Sequence, residues 1–83
     1  MTDTAATEVE TLGSRIRQAR KDAGYRNTES FAVRLGVGQR TVQRWETGAS
    51  EPSISRLREI AALTGRSLAY FISGDTEPEE EAA

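Results

Sequence analysis

The chain has 83 residues, of which 36% are hydrophobic and 29% charged, and its formal net charge is −2, as expected for one small globular domain. It contains no cysteine and no histidine, which excludes disulfide bonds, thiolate metal sites and a histidine general base, so no metal or cofactor is predicted. No apolar run reaches the roughly 18 residues of a membrane-spanning helix and no signal-peptide pattern opens the chain, so we expect a cytoplasmic protein.

The first predicted helix has an apolar stripe whose members recur at spacings of three and four residues. They are Val9, Leu12, Ile16, Ala19 and Ala23. Thr7 and Glu10 form a possible capping box at its start, with Thr11 as an alternative N-cap. Gly13 weakens the first turns and Gly24 is suited to end the helix. Residues 1–6, before this helix, are predicted to be a disordered acidic arm.

Asn27 is a good N-cap for a second helix over 28–35. Gly36 is predicted to end this helix with positive φ, and Val37 then points back towards the core. A third helix is predicted from about Gln39 to Thr47 and ends at Gly48.

A fourth helix is predicted to start after Ser53 and to end at Gly65. Its apolar residues are Ile54, Leu57, Ile60, Ala61 and Leu63. Ser67 can cap a short fifth helix with the sequence LAYFI, and no alternating run is long enough to predict a strand. The sequence therefore predicts an all-α fold, a compact five-helix bundle within residues 7–73, followed by a disordered acidic tail over 74–83.

The charges are segregated along the chain. All eleven basic residues lie between Leu12 and Ile72 together with five acidic ones, which gives this segment a net charge of +6. Residues 1–11 contribute −3 and the C-terminal tail −5. A basic segment between acidic ends suggests an anionic partner, although a solvated basic surface would give the same count. The tail could compete with that partner or could only increase solubility.

The third helix has two different faces when successive residues are placed about 100° apart. One face consists of hydrogen-bonding residues, namely Gln39, Arg40, Gln43, Arg44 and Thr47. The other consists of Thr41, Val42, Trp45 and Glu46. Arginine can bridge O6 and N7 of guanine, and glutamine can bridge N6 and N7 of adenine. The polar face therefore favours nucleic-acid binding over an ordinary solvated surface.

The second and third helices have the features of a helix-turn-helix: small Ala32, Gly36 in the turn and apolar residues behind the second helix. The stretch ESFAVRLGVGQRTVQRWETG, followed by EPSISRLREIAALTG, resembles the five-helix DNA-binding domain of phage Cro and repressor proteins. The resemblance covers roughly residues 12–72 and implies that the third helix enters the major groove of DNA. One departure is Gly38, which stands where Ser or Thr often caps the third helix.

The resemblance and the two faces of the third helix together give the candidate site residues. The predicted base-contacting residues are Gln39, Arg40, Thr41, Gln43 and Arg44. The predicted phosphate-contacting residues are Asn27, Thr28, Thr47 and Arg15. Further phosphate contacts could come from Arg17, Arg26, Arg56 or Arg58, of which the last two are more readily explained as solvated. A structural ion pair between Arg20 and Glu46 is also implied.

The predicted function is sequence-specific binding of double-stranded DNA by a nucleoid-associated transcriptional regulator that is not an enzyme. A Cro-like repressor, a restriction–modification controller and an antitoxin remain open, and a protein–protein adaptor is the alternative. The expected partners are an operator with palindromic half-sites and a second copy of the chain. The fifth helix is the candidate dimer contact, because its apolar surface is larger than one short helix can bury. This surface belongs to Leu68, Tyr70, Phe71 and Ile72. Packing of these residues on the monomer core is the other interpretation.

Overall fold

The computed structural model describes residues 11–73, and these residues form five helices without any strand. The helices are α1 (Leu12–Asp22), α2 (Thr28–Leu35), α3 (Gln39–Thr47), α4 (Ile54–Thr64) and α5 (Leu68–Ser73). The predicted all-α, five-helix architecture is confirmed. The capping box proposed at Thr7 and Glu10, the N-terminal arm and the acidic tail lie outside the described residues.

Local side-chain caps fix where α1 begins. The Oγ1 atom of Thr11 accepts a hydrogen bond from the Ser14 N–H at 3.1 Å, and the Oγ atom of Ser14 accepts one from the Thr11 N–H at 2.8 Å. This reciprocal pair satisfies two backbone donors that the first helical turn leaves without intrahelical partners. Thr11 is therefore the N-cap of α1.

The other caps follow the sequence prediction. Asn27 caps α2 by accepting from the Ser30 N–H at 2.8 Å, and Ser53 caps α4 by accepting from the Arg56 N–H at 3.2 Å. In contrast, the N-cap residue of α3 is Gly38, which provides no side-chain hydrogen bond. The position of α3 therefore depends on its packing against the rest of the bundle.

The turn between α2 and α3 requires a glycine. Gly36 has a φ of 77°, a left-handed conformation that residues with a Cβ adopt at a cost. Its N–H and that of Val37 both donate to the carbonyl oxygen of Ala32, at 2.8 and 3.1 Å. These bonds end α2 and redirect the chain into α3, which gives the helix-turn-helix its bend.

The hydrophobic core receives side chains from all five helices. Its buried members are Ile16, Ala19, Phe31, Ala32, Leu35, Val42, Trp45, Leu57, Ile60, Ala61 and Phe71. Val37, at the turn, packs against this cluster as predicted. Because α3 contributes Val42 and Trp45, its opposite face is left towards solvent.

Gly13 allows α1 and α3 to approach closely. A Cβ atom at this position would lie 2.5 Å from the carbonyl oxygen of Glu46 and 2.6 Å from that of Trp45. These are backbone atoms, so they cannot rotate away from an added methyl group. The glycine that weakens the first turns of α1 is thus needed where the two helices cross.

A buried ion pair joins the same two helices at a second point. The Nε atom of Arg20 lies 2.8 Å from Oε2 of Glu46, and its Nη2 atom lies 3.4 Å from Oε1. The two side chains are only 5% and 8% exposed. Arg20 also donates from Nη1 to the carbonyl oxygen of Tyr25 at 2.8 Å, so it links α1, α3 and the turn before α2.

Arg56 connects α4 to the end of α2. Its Nη1 atom donates to the carbonyl oxygen of Leu35 at 3.0 Å and to Oε1 of Glu59 at 2.7 Å. The carbonyl of Leu35 belongs to the last turn of α2, where helices lack internal donors. Arg56 therefore stabilises the helix end next to the turn, a role that the sequence did not predict.

Candidate nucleic-acid interface

The outer face of α3 is defined by five exposed residues. They are Gln39, Arg40, Gln43, Arg44 and Thr47. Val42 and Trp45, on the opposite side, are buried in the core, and Thr41 is half-buried between the two faces. The helix holds its five outer residues in fixed register because its inner side is anchored in the bundle.

The two arginines of this face have no acidic partner among residues 11–73. The ion pairs within that range join Arg20 to Glu46, Arg56 to Glu59 and Arg66 to Asp22. Glu46 is the only acidic residue of α3, and its carboxylate is turned inward to Arg20. The outer face therefore presents Arg40 and Arg44 as cations next to neutral hydrogen-bonding groups, which suits an anionic partner.

The start of α2 lies beside the start of α3. The Nε2 atom of Gln39 donates a hydrogen bond to Oγ1 of Thr28 at 3.1 Å. Asn27 immediately precedes Thr28, and its side-chain oxygen is engaged by the Ser30 N–H. The structure thus brings Asn27, Thr28 and Gln39, predicted separately for phosphate and base contacts, to one edge of the molecule.

Two predicted phosphate contacts have different surroundings. Thr47 lies at the end of the outer face, and its hydroxyl donates to the carbonyl oxygen of Arg44 at 3.3 Å. Arg15 is directed to α5, where its Nη1 atom donates to the carbonyl oxygen of Phe71 at 3.1 Å. A phosphate contact by Arg15 stays a prediction. It would have to use a guanidinium N–H other than the one bonded to Phe71, and the group has five.

An apolar groove of about 500 Å³ lies away from the outer face of α3, between the start of α1, the start of α4 and the end of α5. Its walls include Leu12, Pro52, Ile54, Phe71 and Ile72. Ile54 is 51% exposed and Ile72 is 57% exposed. Sequence periodicity placed Ile54 on the apolar stripe of the fourth helix, and the structure shows that the bundle covers only half of its side chain.

Residues 11–73 contain neither a candidate metal site nor a candidate membrane span. No cluster of three acidic residues is close enough to hold a metal ion there. None of the helices in this range has the length and apolar character needed to cross a membrane.

Comparison with known proteins gives one family and two relatives. The helix-turn-helix family model matches residues 16–71. The chain is 37% identical over 62 residues to an uncharacterized transcriptional regulator in the ATPase CF(0) region of Rhodospirillum rubrum, covering 75% of this chain and 56% of the relative. It is 38% identical over 50 residues to an uncharacterized HTH-type transcriptional regulator of Haemophilus influenzae, covering 60% of this chain and 21% of the relative. The chain therefore spans about half of the length of the first relative and about a fifth of the length of the second. No solved structure matches it significantly.

Proposed function

We propose, from the premise that this chain belongs to the helix-turn-helix family, that it binds double-stranded DNA sequence-specifically and regulates transcription without catalysing a reaction. The observation that carries this proposal is the outer face of α3. There Arg40 and Arg44 have no acidic partner among the described residues, while the helix is anchored from behind by Val42 and Trp45. Both relatives named above are transcriptional regulators by name, which supports the same function.

In the proposed complex, α3 lies in the major groove, which is about 12 Å wide and admits an α-helix. Gln39, Arg40, Gln43 and Arg44 then face the base edges, and Thr41 is the remaining candidate at the margin of the face. The hydrogen bond from Gln39 to Thr28 restricts the rotamers of Gln39 before DNA arrives. Restricting a side chain in advance lowers the entropy lost on binding.

Phosphate contacts are proposed on both sides of this base-contacting set. Asn27 and Thr28 lie at the start of α2, where backbone N–H groups and the helix dipole favour an anion. Thr47 lies at the far end of the outer face, and Arg15 is the fourth candidate. Such contacts fix the orientation of α3 on the duplex without selecting its sequence.

The cellular role follows from occupying an operator. A protein bound at a promoter can block or recruit polymerase, so the three candidate roles are a Cro-like repressor, a restriction–modification controller and an antitoxin. We place this activity in the cytoplasm, on nucleoid DNA. All three roles require the same interface.

Replacing Arg40 or Arg44 by alanine is expected to relax base preference at particular positions of the operator. Each bidentate arginine–guanine contact contributes about 1–3 kcal/mol of discrimination at its own base pair. The measurement is selection of bound sequences from random duplexes, followed by affinities for single-base-pair changes. Arg34→Ala is the matched control, because Arg34 is an exposed arginine on α2 and lies outside the proposed interface.

Base contact and phosphate contact give different results in this assay. A uniform loss of affinity over all sequences, in both variants, would make Arg40 and Arg44 phosphate contacts. If the parent chain itself bound all duplexes equally weakly, the adaptor alternative would replace the proposed function.

The apolar groove is proposed to hold a second copy of the chain. Exposed Ile54 and Ile72 on a groove wall resemble the apolar centre of a homodimer interface. A two-fold dimer would place two α3 helices on successive turns of the duplex, about 34 Å apart, which corresponds to palindromic half-sites.

Replacing Ile72 by glutamate is expected to convert the dimer into a monomer that remains folded. A charged side chain would be desolvated at the dimer contact, whereas position 72 is 57% exposed in the monomer. Sedimentation equilibrium measures the mass, and unfolding experiments should show a monomer stability within about 0.5 kcal/mol of the parent. Val33→Glu is the matched control, because Val33 is 72% exposed and lies outside the groove. An unchanged mass for Ile72→Glu would contradict this interface.

A further inference from the structure

We propose that the acidic segment 75–81 docks on the outer face of α3 of its own chain when no DNA is bound. The site consists of Arg40 and Arg44 with the neighbouring polar residues of that face. The occupant is a segment with five carboxylates within seven residues. Docking itself needs only these charges, while its consequence, competition with DNA, rests on the proposed function.

Charge complementarity favours this occupant over the acidic residues of the bundle. Asp22, Glu46 and Glu59 are already paired with arginines. The other two acidic residues of the bundle, Glu29 and Glu51, are single carboxylates far apart in the sequence. The acidic side chains of the segment are Asp75, Glu77, Glu79, Glu80 and Glu81. The greatest density of negative charge in the sequence is therefore covalently joined to a bundle whose outer α3 face presents two arginines without acidic partners.

The contacts of α5 show where the described part of the chain ends. Phe71 accepts a hydrogen bond from Arg15 of α1, and Phe71 and Ile72 share a groove with Leu12 at the start of α1. The next residue, Gly13, packs against the backbone of Trp45 in the last turn of α3. Only the first turns of α1 therefore separate the end of α5 from the end of α3.

The length of the segment is sufficient for this path. A helix with its side chains is about 10–12 Å across. The eight residues that follow Ser73, up to Glu81, span at most about 26–29 Å when extended. The last three carboxylates, those of Glu79, Glu80 and Glu81, can therefore pass the start of α1 and reach α3. They meet Arg44 before Arg40, which lies one turn further from the end of α3.

Tethering makes a weak contact effective. Exposed ion pairs contribute little individually, but a segment on a short linker acts at an effective concentration on the order of millimolar. If it covers the face for about two thirds to nine tenths of the time, DNA affinity falls by roughly 3- to 10-fold, in proportion to the uncovered fraction. DNA, with one phosphate charge per about 1.7 Å of duplex, still displaces it.

The direct test observes the arginine side chains without DNA. A neutral variant keeps the length of the chain and removes the charge of the segment. Its substitutions are Asp75→Asn, Glu77→Gln, Glu79→Gln, Glu80→Gln and Glu81→Gln. At about 50 mM salt, the Nε–Hε NMR signals of Arg40 and Arg44 are expected to shift between parent and variant, while that of Arg34 stays in place. The shift should disappear towards about 1 M salt, where the Debye length falls to about 3 Å.

The matched control neutralises the acidic residues that precede α1, with Asp3→Asn, Glu8→Gln and Glu10→Gln. This variant also raises the net charge of the chain but leaves the segment 75–81 intact. Its Arg40 and Arg44 signals should match those of the parent. Equal shifts in both variants would mean a general charge effect and would overturn docking by the C-terminal segment.

The second measurement is binding to a random duplex at about 50 mM salt. The variant with the neutral segment is expected to bind roughly 3- to 10-fold more tightly than the parent, with a smaller gain at higher salt. Unmoved arginine signals would overturn docking whatever the DNA result, and moved signals with unchanged affinity would overturn competition. Moved signals in a protein that binds no duplex would leave docking standing and would refute the proposed function.

Discussion

Replacing Glu46 by alanine is expected to lower the free energy of unfolding by about 3–5 kcal/mol. The substitution leaves the Arg20 guanidinium, only 5% exposed, without the carboxylate that lies 2.8 Å from its Nε atom. A buried charge that loses its partner is far more costly than an exposed one. For a small domain this is a large share of the total stability, so the variant should be partly unfolded near 37 °C.

Chemical denaturation of Glu46→Ala, Arg20→Ala and the double variant measures the coupling between the two side chains. The double variant should lose much less than the sum of the two singles. Glu59→Ala is the matched control, because its pair with Arg56 is 51% and 37% exposed and should contribute less than about 1 kcal/mol. Additive losses, or single variants as stable as the parent, would show that the pair does not hold α1 to α3.

Replacing Gly13 by alanine is expected to destabilise the fold although alanine is the better helix former. The gain in helix propensity is about 1 kcal/mol. The new methyl group opposes this gain, because it would lie 2.5 Å from the carbonyl oxygen of Glu46 and 2.6 Å from that of Trp45. Overpacking of this kind costs about 1–3 kcal/mol or more, and here α1 and α3 must separate because the opposing atoms belong to the backbone.

Denaturation and thermal melting should both show a net loss for Gly13→Ala, and the Arg20–Glu46 pair should weaken as the helices move apart. Gly38→Ser serves as control, because Gly38 has a φ of −77° and open space around its Cβ position. A serine there can cap α3 and should be neutral or slightly stabilising. A Gly13→Ala variant more stable than the parent would mean that the crossing of α1 and α3 adapts without strain.

The helix ends were predictable from the sequence because their causes are local. Asn27 and Ser53 cap through a backbone N–H three residues away, and Gly36 and Gly48 end helices through their own positive φ. Neither effect depends on the rest of the chain. The same locality placed Val42 and Trp45 on the inner face of α3, since a single helical period decides the orientation of both.

The tertiary roles of several residues were not predictable in this way. Gly13 is a weak helix former in any local view, and its value arises only from α3 passing beside it. Arg56 was expected to be solvated or to contact phosphate, but it binds the carbonyl of Leu35, 21 residues away. Arg15 similarly meets Phe71 across 56 residues. No spacing rule connects positions so far apart in sequence.

In the candidate site too, some features follow from the local sequence and others only from the tertiary fold. The composition of the outer face of α3 follows from helical periodicity. The hydrogen bond between Gln39 and Thr28 depends instead on how the turn at Gly36 places two helix starts side by side. The sequence thus predicted which residues share this face, and the structure adds that two candidate residues, Gln39 and Thr28, are hydrogen-bonded to each other.

Under the function proposed above, the two faces of α3 also determine how operator preference can diverge in this lineage. Arg40, Gln43 and Arg44 are exposed, and substitutions at such positions usually change stability by less than about 0.5 kcal/mol. A descendant can therefore acquire a new target sequence through a few mutations, and each variant along the way keeps a stable fold. Gln39 is the exception, because its amide is bonded to Thr28. Positions 28 and 39 are therefore expected to change together. A change of base preference at the start of α3 then requires two mutations, whereas a change at position 40, 43 or 44 requires one.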